Sequence, residues 1–81
     1  MSWLDYHKRI QETINYIEEN LERKITLDEL AETAVLSKYY YHRLFHALTG
    51  EPVMEYIRKR RLGRAIKQMN ETNLGILEFS I

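Results

Sequence analysis

The stretch TLDELAETAVLSKYYYHRLFHALTG, residues 26–50, decides the fold. It predicts two short helices joined by a tight turn over residues 34–37. Thr26 and Glu29 have the spacing of a capping box, which starts the first helix. Ser37 is a good N-cap for the second helix, and Gly50 ends that helix as a C′ glycine. The second helix is therefore predicted over residues 38–49.

Val35 occupies the place in this turn where glycine is common, because the backbone there tends toward positive φ. A β-branched residue is strained in that conformation. Either the turn differs locally, or the chain stores about 1 kcal/mol or more of strain at this residue.

The second helix has two faces of different chemistry. Four residues follow the i, i+3, i+4, i+7 pattern of a core-facing stripe: Tyr41, Leu44, Phe45 and Leu48. Four others repeat that spacing on another face: Tyr39, His42, Arg43 and His46. The second set is polar, aromatic and partly cationic, so it can donate to base acceptors, stack, or contact a thymine methyl group. Lys38 and Tyr40, near the helix start, are placed to reach phosphate oxygens. We interpret the pair as a helix-turn-helix whose second helix enters the DNA major groove.

The flanking segments predict two further helices and an all-α, homeodomain-like bundle. The first helix spans about residues 2 or 5 to 21, with an apolar stripe formed by Trp3, Tyr6, Ile10, Ile14, Ile17 and Leu21. Its other face, which includes Arg9 and Glu18, is expected to be solvated. After Pro52, a long fourth helix spans about residues 53–70. Its predicted buried side is Val53, Tyr56, Ile57, Leu62, Ala65, Ile66 and Met69.

The charges are segregated along a chain of zero net charge. Residues 1–37 carry −4, residues 38–67 carry +6 and residues 68–81 carry −2. A basic half is a possible polyanion-binding surface, and a salt-bridged helical surface is the alternative. Without cysteine, a signal-peptide core or a membrane-length apolar run, the chain is expected to be a cytoplasmic protein that does not contact membranes.

Other function classes are poorly supported by the sequence. His42 and His46 have metal-ligand spacing, but no HExxH pattern or nearby carboxylate completes a metal site. We therefore predict no metal, no cofactor and no enzymatic activity. Residues 74–81 are apolar at Ile76, Leu77, Phe79 and Ile81, and nothing after them covers that surface. They could form a homodimer contact, so a protein–protein interaction module is the alternative function.

Four segments together resemble the AraC/XylS family of bacterial transcription regulators. They are YIEENL at 16–21, TLDELAETAVLS at 26–37, YYYHRLFHALTG at 39–50 and YIRKRRLGRAI at 56–66. The resemblance implies two helix-turn-helix subdomains joined by a linker helix. Residues 1–50 would be the first subdomain, residues 51–70 the linker helix, and residues 71–81 the truncated start of the second subdomain.

The resemblance also implies a partner and residue roles. Double-stranded promoter DNA would be the partner, and an effector ligand would bind only parts of a longer protein that are absent here. Base contacts would come from Tyr39, His42, Arg43 and, one turn further, His46. Phosphate contacts would come from Ser37, Lys38, Tyr40, Arg58 and Arg61. For the two linker arginines, DNA backbone contacts and structural salt bridges are both possible.

Overall fold

The structure, a computed structural model, describes residues 2–71 and contains four helices. They are α1 (Trp3–Glu19), α2 (Leu27–Ala34), α3 (Lys38–Thr49) and α4 (Val53–Glu71). The described part of the chain contains no strand, so the predicted all-α class is confirmed. α3 has the bounds that the sequence predicted. The predicted homodimer segment, residues 74–81, lies outside the described residues.

Side-chain caps fix where the helices begin. The Thr26 hydroxyl accepts from the Glu29 amide at 3.2 Å, and the Glu29 carboxylate accepts from the Thr26 amide at 2.8 Å. The predicted capping box of α2 is therefore confirmed. The Ser37 hydroxyl accepts from the Tyr40 amide at 3.2 Å and so starts α3. α3 ends at Gly50, where φ is +85°.

The core lies where α1, α2, α3 and the first turns of α4 meet. Its largest fully buried side chains include Tyr41, Phe45, Ile17 and Leu30. The Tyr41 hydroxyl donates to Thr13 Oγ1 at 2.9 Å, and Thr13 donates to the Ile10 carbonyl at 2.7 Å. Burial raises the pKa of Tyr41 to about 12. This chain of hydrogen bonds satisfies the buried hydroxyls of Tyr41 and Thr13 and ties α3 to α1.

Arg9 ties α1 to the turn between α2 and α3. Its Nη1 donates to the carbonyl oxygens of Ala34 and Val35, both at 3.1 Å. These carbonyls lie at the C-terminal end of α2, where a cation also complements the helix dipole. The prediction that Arg9 lies on a solvated face was wrong. Sequence periodicity places a residue on a face of its own helix but does not show which partner crosses that face.

Val35 adopts the left-handed conformation, the second of the two possibilities that the sequence left open, with φ 57° and ψ 47°. Its amide still donates to Glu32 at 3.0 Å, and the next amide, of Leu36, donates to Ala31 at 3.0 Å. The side chain is 74 % exposed and therefore contributes little burial. The turn keeps its hydrogen bonds and holds a β-branched residue at positive φ, a conformation that costs on the order of 1–3 kcal/mol.

Val35→Gly is expected to raise the free energy of unfolding by about 1 kcal/mol, because strain relief exceeds the added entropy of the unfolded chain. Urea denaturation measures the change. Val35→Ala is the matched control and should give a smaller gain, since alanine keeps the Cβ that disfavours positive φ. Equal or lower stability of the glycine variant would show that Val35 is not strained.

Glu29 joins the start of α2 to the C-terminal part of α1. Arg23 Nη2 donates to its Oε1 at 2.6 Å, and the Tyr16 hydroxyl donates to the same oxygen at 2.5 Å. The Arg23 guanidinium also lies 5.4 Å from the centre of the Tyr16 ring. These hydrogen bonds, that from Arg23 first, then those from Tyr16 and the Thr26 amide, lower the pKa of Glu29 to about 2.

The lowered pKa of Glu29 predicts acid sensitivity. Its folded value, about 2, lies below the ordinary 4.5, so its stabilising effect is complete above pH 4.5 and is lost as pH falls toward 2. Denaturation at a series of pH values should show stability falling across this window. Glu29→Gln should be less stable at pH 7, and its stability should fall less than that of the wild type across this window. An unchanged acid limb in the variant would contradict the assignment.

Two predicted apolar stripes are partly exposed. Trp3 is 58 % exposed and packs edge-on against His7 at 5.3 Å, so placing it on the buried stripe was wrong. On α4, Val53 and Ile57 are buried as predicted. The prediction was wrong for the later residues of that side: Leu62 is 61 % exposed, and Ile66 and Met69 are exposed too. These residues are exposed because α4, with 19 residues, extends beyond the small core.

Within residues 2–71, no helix has both the length and the apolar character needed to span a bilayer.

Candidate nucleic-acid interface

α3 separates its two faces as the sequence predicted. Tyr41, Leu44 and Phe45 are buried, and Leu48 is half-buried against the core. The four residues of the other face are all exposed: Tyr39, His42, Arg43 and His46. The helix therefore rests on the core through one stripe and presents the other to solvent.

Arg43 is held by Tyr39, one turn earlier on the same face. Its Nη1 donates to the Tyr39 hydroxyl at 3.0 Å, and its guanidinium carbon lies 5.7 Å from the centre of the Tyr39 ring. Tyr39 itself is 70 % exposed. A guanidinium has five N–H donors, so this contact leaves further donors for a ligand. Tyr39 thus limits the conformational freedom of the Arg43 side chain.

A ridge runs along the exposed face through Tyr39, Arg43 and Ala47, with a shallow groove on each side. The apolar groove is lined by the ridge together with Tyr40 and Leu44. The imidazole groove is lined by His42, Arg43, His46 and Ala47. Ala47 was not among the predicted site residues, although its position four residues after Arg43 places it on the same ridge. Its small side chain keeps both grooves open.

His42 and His46 line the same groove. Within residues 2–71, however, no group of three or more His, Cys, Asp or Glu side chains could hold a metal ion. Each imidazole has ring nitrogens that can donate or accept a hydrogen bond beside Arg43.

The predicted phosphate-contacting residues at the start of α3 already have partners within the chain. Lys38 Nζ lies 3.0 Å from an Asp28 carboxylate oxygen on α2. The Tyr40 ring lies 5.8 Å from that of Tyr6 on α1, and a hydrogen bond with Tyr6 raises the pKa of Tyr40. The Ser37 hydroxyl accepts from the Tyr40 amide, which leaves its proton for donation to a phosphate oxygen. The ion pair is exposed, so a phosphate can compete for Lys38.

Much of the basic surface of α4 faces the last turn of α1 and the connector that follows it. Arg60 Nη2 lies 2.6 Å from Glu18, and Arg64 Nη1 lies 3.2 Å from Glu22. Arg61 donates from Nε to the Leu21 carbonyl at 3.0 Å and from Nη2 to the Arg23 carbonyl at 2.6 Å. Glu18 is therefore an ion-pair partner, and its prediction as a solvated residue was wrong. The Arg61 contacts are hydrogen bonds to backbone carbonyls, so they are neither the DNA backbone contact nor the salt bridge that the sequence left open.

Arg58 and Lys59 pair with carboxylates nearby in the chain. Arg58 donates to both oxygens of Glu55 at 2.8 and 2.9 Å, and Lys59 lies 3.1 Å from Glu51. The Arg58 contact also lowers the pKa of Glu55. The +6 of residues 38–67 is thus largely distributed among ion pairs. Arg58 remains exposed, and its predicted phosphate contact, like that of Arg61, stays a prediction.

The chain is similar to curated transcription regulators over most of its length. It is 30 % identical to the regulatory protein SoxS of Escherichia coli over 78 residues, which are 96 % of this chain and 73 % of SoxS. The chain belongs to the AraC/XylS family of helix-turn-helix transcription regulators. This AraC/XylS member is also 38 % identical over 72 residues to the Tn10 TetD protein of Escherichia coli. It is 35 % identical over 72 residues to the transcriptional activator AarP of Providencia stuartii.

The relatives differ in how much of their length is matched. The 72 residues shared with AarP are 89 % of this AraC/XylS chain and 53 % of AarP, and those shared with TetD are 89 % and 52 %. The chain therefore spans about half the length of these two curated relatives. No family model matches the chain. No solved structure matches it either.

Proposed function

We propose that this chain is a sequence-specific DNA-binding module of a transcription regulator, with α3 in the major groove. The observation that carries the proposal is the exposed face of α3, where Arg43 is held by Tyr39 between two grooves. An α-helix fits the major groove, and that groove displays a distinct pattern of donors and acceptors for each base pair. Family membership supports the same function.

The proposal gives the exposed residues different roles. Arg43 donates to O6 and N7 of a guanine, which is the commonest specific contact of arginine in the major groove. His42 and His46 reach the neighbouring base edges, and Tyr39 contacts a base while holding Arg43. Phosphate contacts fix the orientation of α3. Their proposed sources are Ser37, Lys38, Tyr40, Arg58 and Arg61.

The proposal also divides the chain into two subdomains and a linker helix. Residues 1–50 form the first helix-turn-helix subdomain, residues 51–70 the linker helix, and residues 71–81 the start of a second subdomain. The exposed second half of α4 supports this division, because a linker helix must extend beyond the unit that it leaves. Two such units in a full-length regulator would contact DNA about one helical turn apart.

The test is a fluorescence titration of the chain with a labelled random-sequence duplex pool at two salt concentrations, followed by selection of the duplexes that bind. Affinity is expected to fall steeply as salt rises, because phosphate contacts release counterions. Selection should enrich a guanine-containing motif. Affinity that does not depend on salt, or a selected pool without a shared motif, would refute the proposal.

Arg58→Ala is expected to weaken binding by a similar factor for all duplexes and to reduce the salt dependence by about one released ion. Lys67→Ala is the matched control, since Lys67 is also an exposed base of α4 and lies 4.0 Å from Glu71. It should leave the salt dependence unchanged. If the two variants behave alike, Arg58 is not a phosphate contact.

A further inference from the structure

The two grooves beside the ridge of α3 differ in chemistry. Carbon atoms dominate the apolar groove, whose lining includes Tyr39, Tyr40, Leu44 and Ala47, and Arg43 forms part of its wall. The imidazole groove, across the ridge, is lined by two histidines. One flank of Arg43 therefore offers an apolar surface, and the other offers hydrogen-bonding groups.

We propose that the apolar groove binds the C5-methyl group of a pyrimidine that neighbours the guanine contacted by Arg43. The pyrimidine is thymine or 5-methylcytosine, since both carry the methyl group at the same ring position. The inference rests on the proposed function. On the edges of unmodified bases, the thymine methyl is the apolar group that the major groove displays, and apolar side chains contact it directly.

The size and charge of the groove favour this occupant over a protein. The groove is formed by five residues within about two turns of one helix, far less than a stable protein–protein interface buries. Its wall carries the guanidinium of Arg43, and the adjoining groove carries His42 and His46. Cationic and hydrogen-bonding groups at the edge of an apolar surface complement a duplex, which surrounds each methyl group with base acceptors and phosphates.

The inference predicts that DNA methylation changes the affinity of this chain. One buried methyl group corresponds to about a fourfold change in the dissociation constant. Thymine should bind about fourfold better than uracil at one position, and 5-methylcytosine should exceed cytosine there by a similar factor. A recognition helix of this design would respond to cytosine methylation without any further domain.

The experiment uses the duplex that selection enriches. Each thymine is replaced in turn by uracil, which removes the methyl group and keeps the base pair, and the dissociation constant is measured by fluorescence anisotropy. One position beside the essential guanine should lose about fourfold in affinity. If the selected duplex has no thymine beside that guanine, or if no uracil weakens binding, the inference is overturned while the proposed function stands. Failure to enrich any duplex would instead refute the proposed function.

Two protein variants locate the methyl group. Ala47 lines both grooves, so Ala47→Leu fills the apolar groove and narrows the imidazole groove. The ratio between the thymine and uracil dissociation constants should then fall to about one. His46→Ala alters the imidazole groove and should lower affinity for both duplexes while keeping the ratio. A ratio that survives in Ala47→Leu, or disappears in His46→Ala, would place the methyl group outside the apolar groove.

Discussion

Arg43→Ala is expected to weaken binding to the selected duplex about ten- to a hundredfold, because a bidentate arginine–guanine contact provides on the order of 1–3 kcal/mol of discrimination. Binding to unrelated duplexes should change much less, since it depends on phosphates. Arg43 is exposed, so the variant should fold. Competition titration with selected and unrelated duplexes measures both effects.

Arg43→Lys separates charge from geometry. Lysine keeps the positive charge but lacks the planar fork that reaches O6 and N7 together. The Arg43→Lys variant should keep part of the wild-type affinity for any duplex and lose much of the wild-type preference for guanine. A lysine variant with the full preference, or an alanine variant that weakens all duplexes equally, would make Arg43 a phosphate contact instead of a base contact.

Phe45→Ala is expected to lower the free energy of unfolding by about 3–5 kcal/mol, the range for a large buried aromatic side chain. Phe45 is fully buried and packs against Tyr41 and Tyr56, with ring centres 6.0 and 5.6 Å away. In a domain this small, such a loss removes a large part of the total stability. Urea denaturation followed by circular dichroism measures it.

His46→Ala is the matched control for Phe45→Ala, because the two residues are neighbours on α3 but Phe45 is buried and His46 is exposed. His46 is exposed, so its replacement should change stability by less than about 0.5 kcal/mol and act on DNA binding instead. Similar losses of stability in both variants would mean that α3 does not present its two stripes as described.

The features that depend on local sequence were predictable. The capping residues Thr26 and Ser37, the C′ glycine at Gly50 and the two faces of α3 all follow from interactions within a few residues of each other. Val35 belongs to the same class, because the turn geometry fixes its positive φ. Such signals act within one or two helical turns and need no knowledge of how the helices pack.

The contacts between distant segments were not predictable. Arg9, Thr13 and Arg61 are polar or charged, and periodicity gives no indication that they bind carbonyls or a hydroxyl across a helix interface. The extent of the core on α4 was missed for a related reason, since Leu62 continues the apolar spacing after the bundle has ended. Helix periodicity predicts a face, whereas burial depends on whether another element covers it.

The charge pattern illustrates the same limit. A net charge of +6 over residues 38–67 suggested a broad basic surface. In the structure Arg60 and Arg64 pair with carboxylates of the acidic first segment, and Arg61 binds its carbonyls. Segregation of charge along the sequence therefore serves helix packing. The candidate interface is narrower than the sequence indicated and is centred on Arg43.

The most direct test of the central claim, that the exposed face of α3 reads a base, combines a protein change with a DNA change. Binding is measured for the wild type and for Arg43→Ala, each with the selected duplex and with one whose essential guanine is replaced by 7-deazaguanine, which lacks the N7 acceptor. If Arg43 contacts that guanine, the two changes together should weaken binding about as much as Arg43→Ala alone. Losses that multiply independently would contradict the contact and the DNA-reading role of this face.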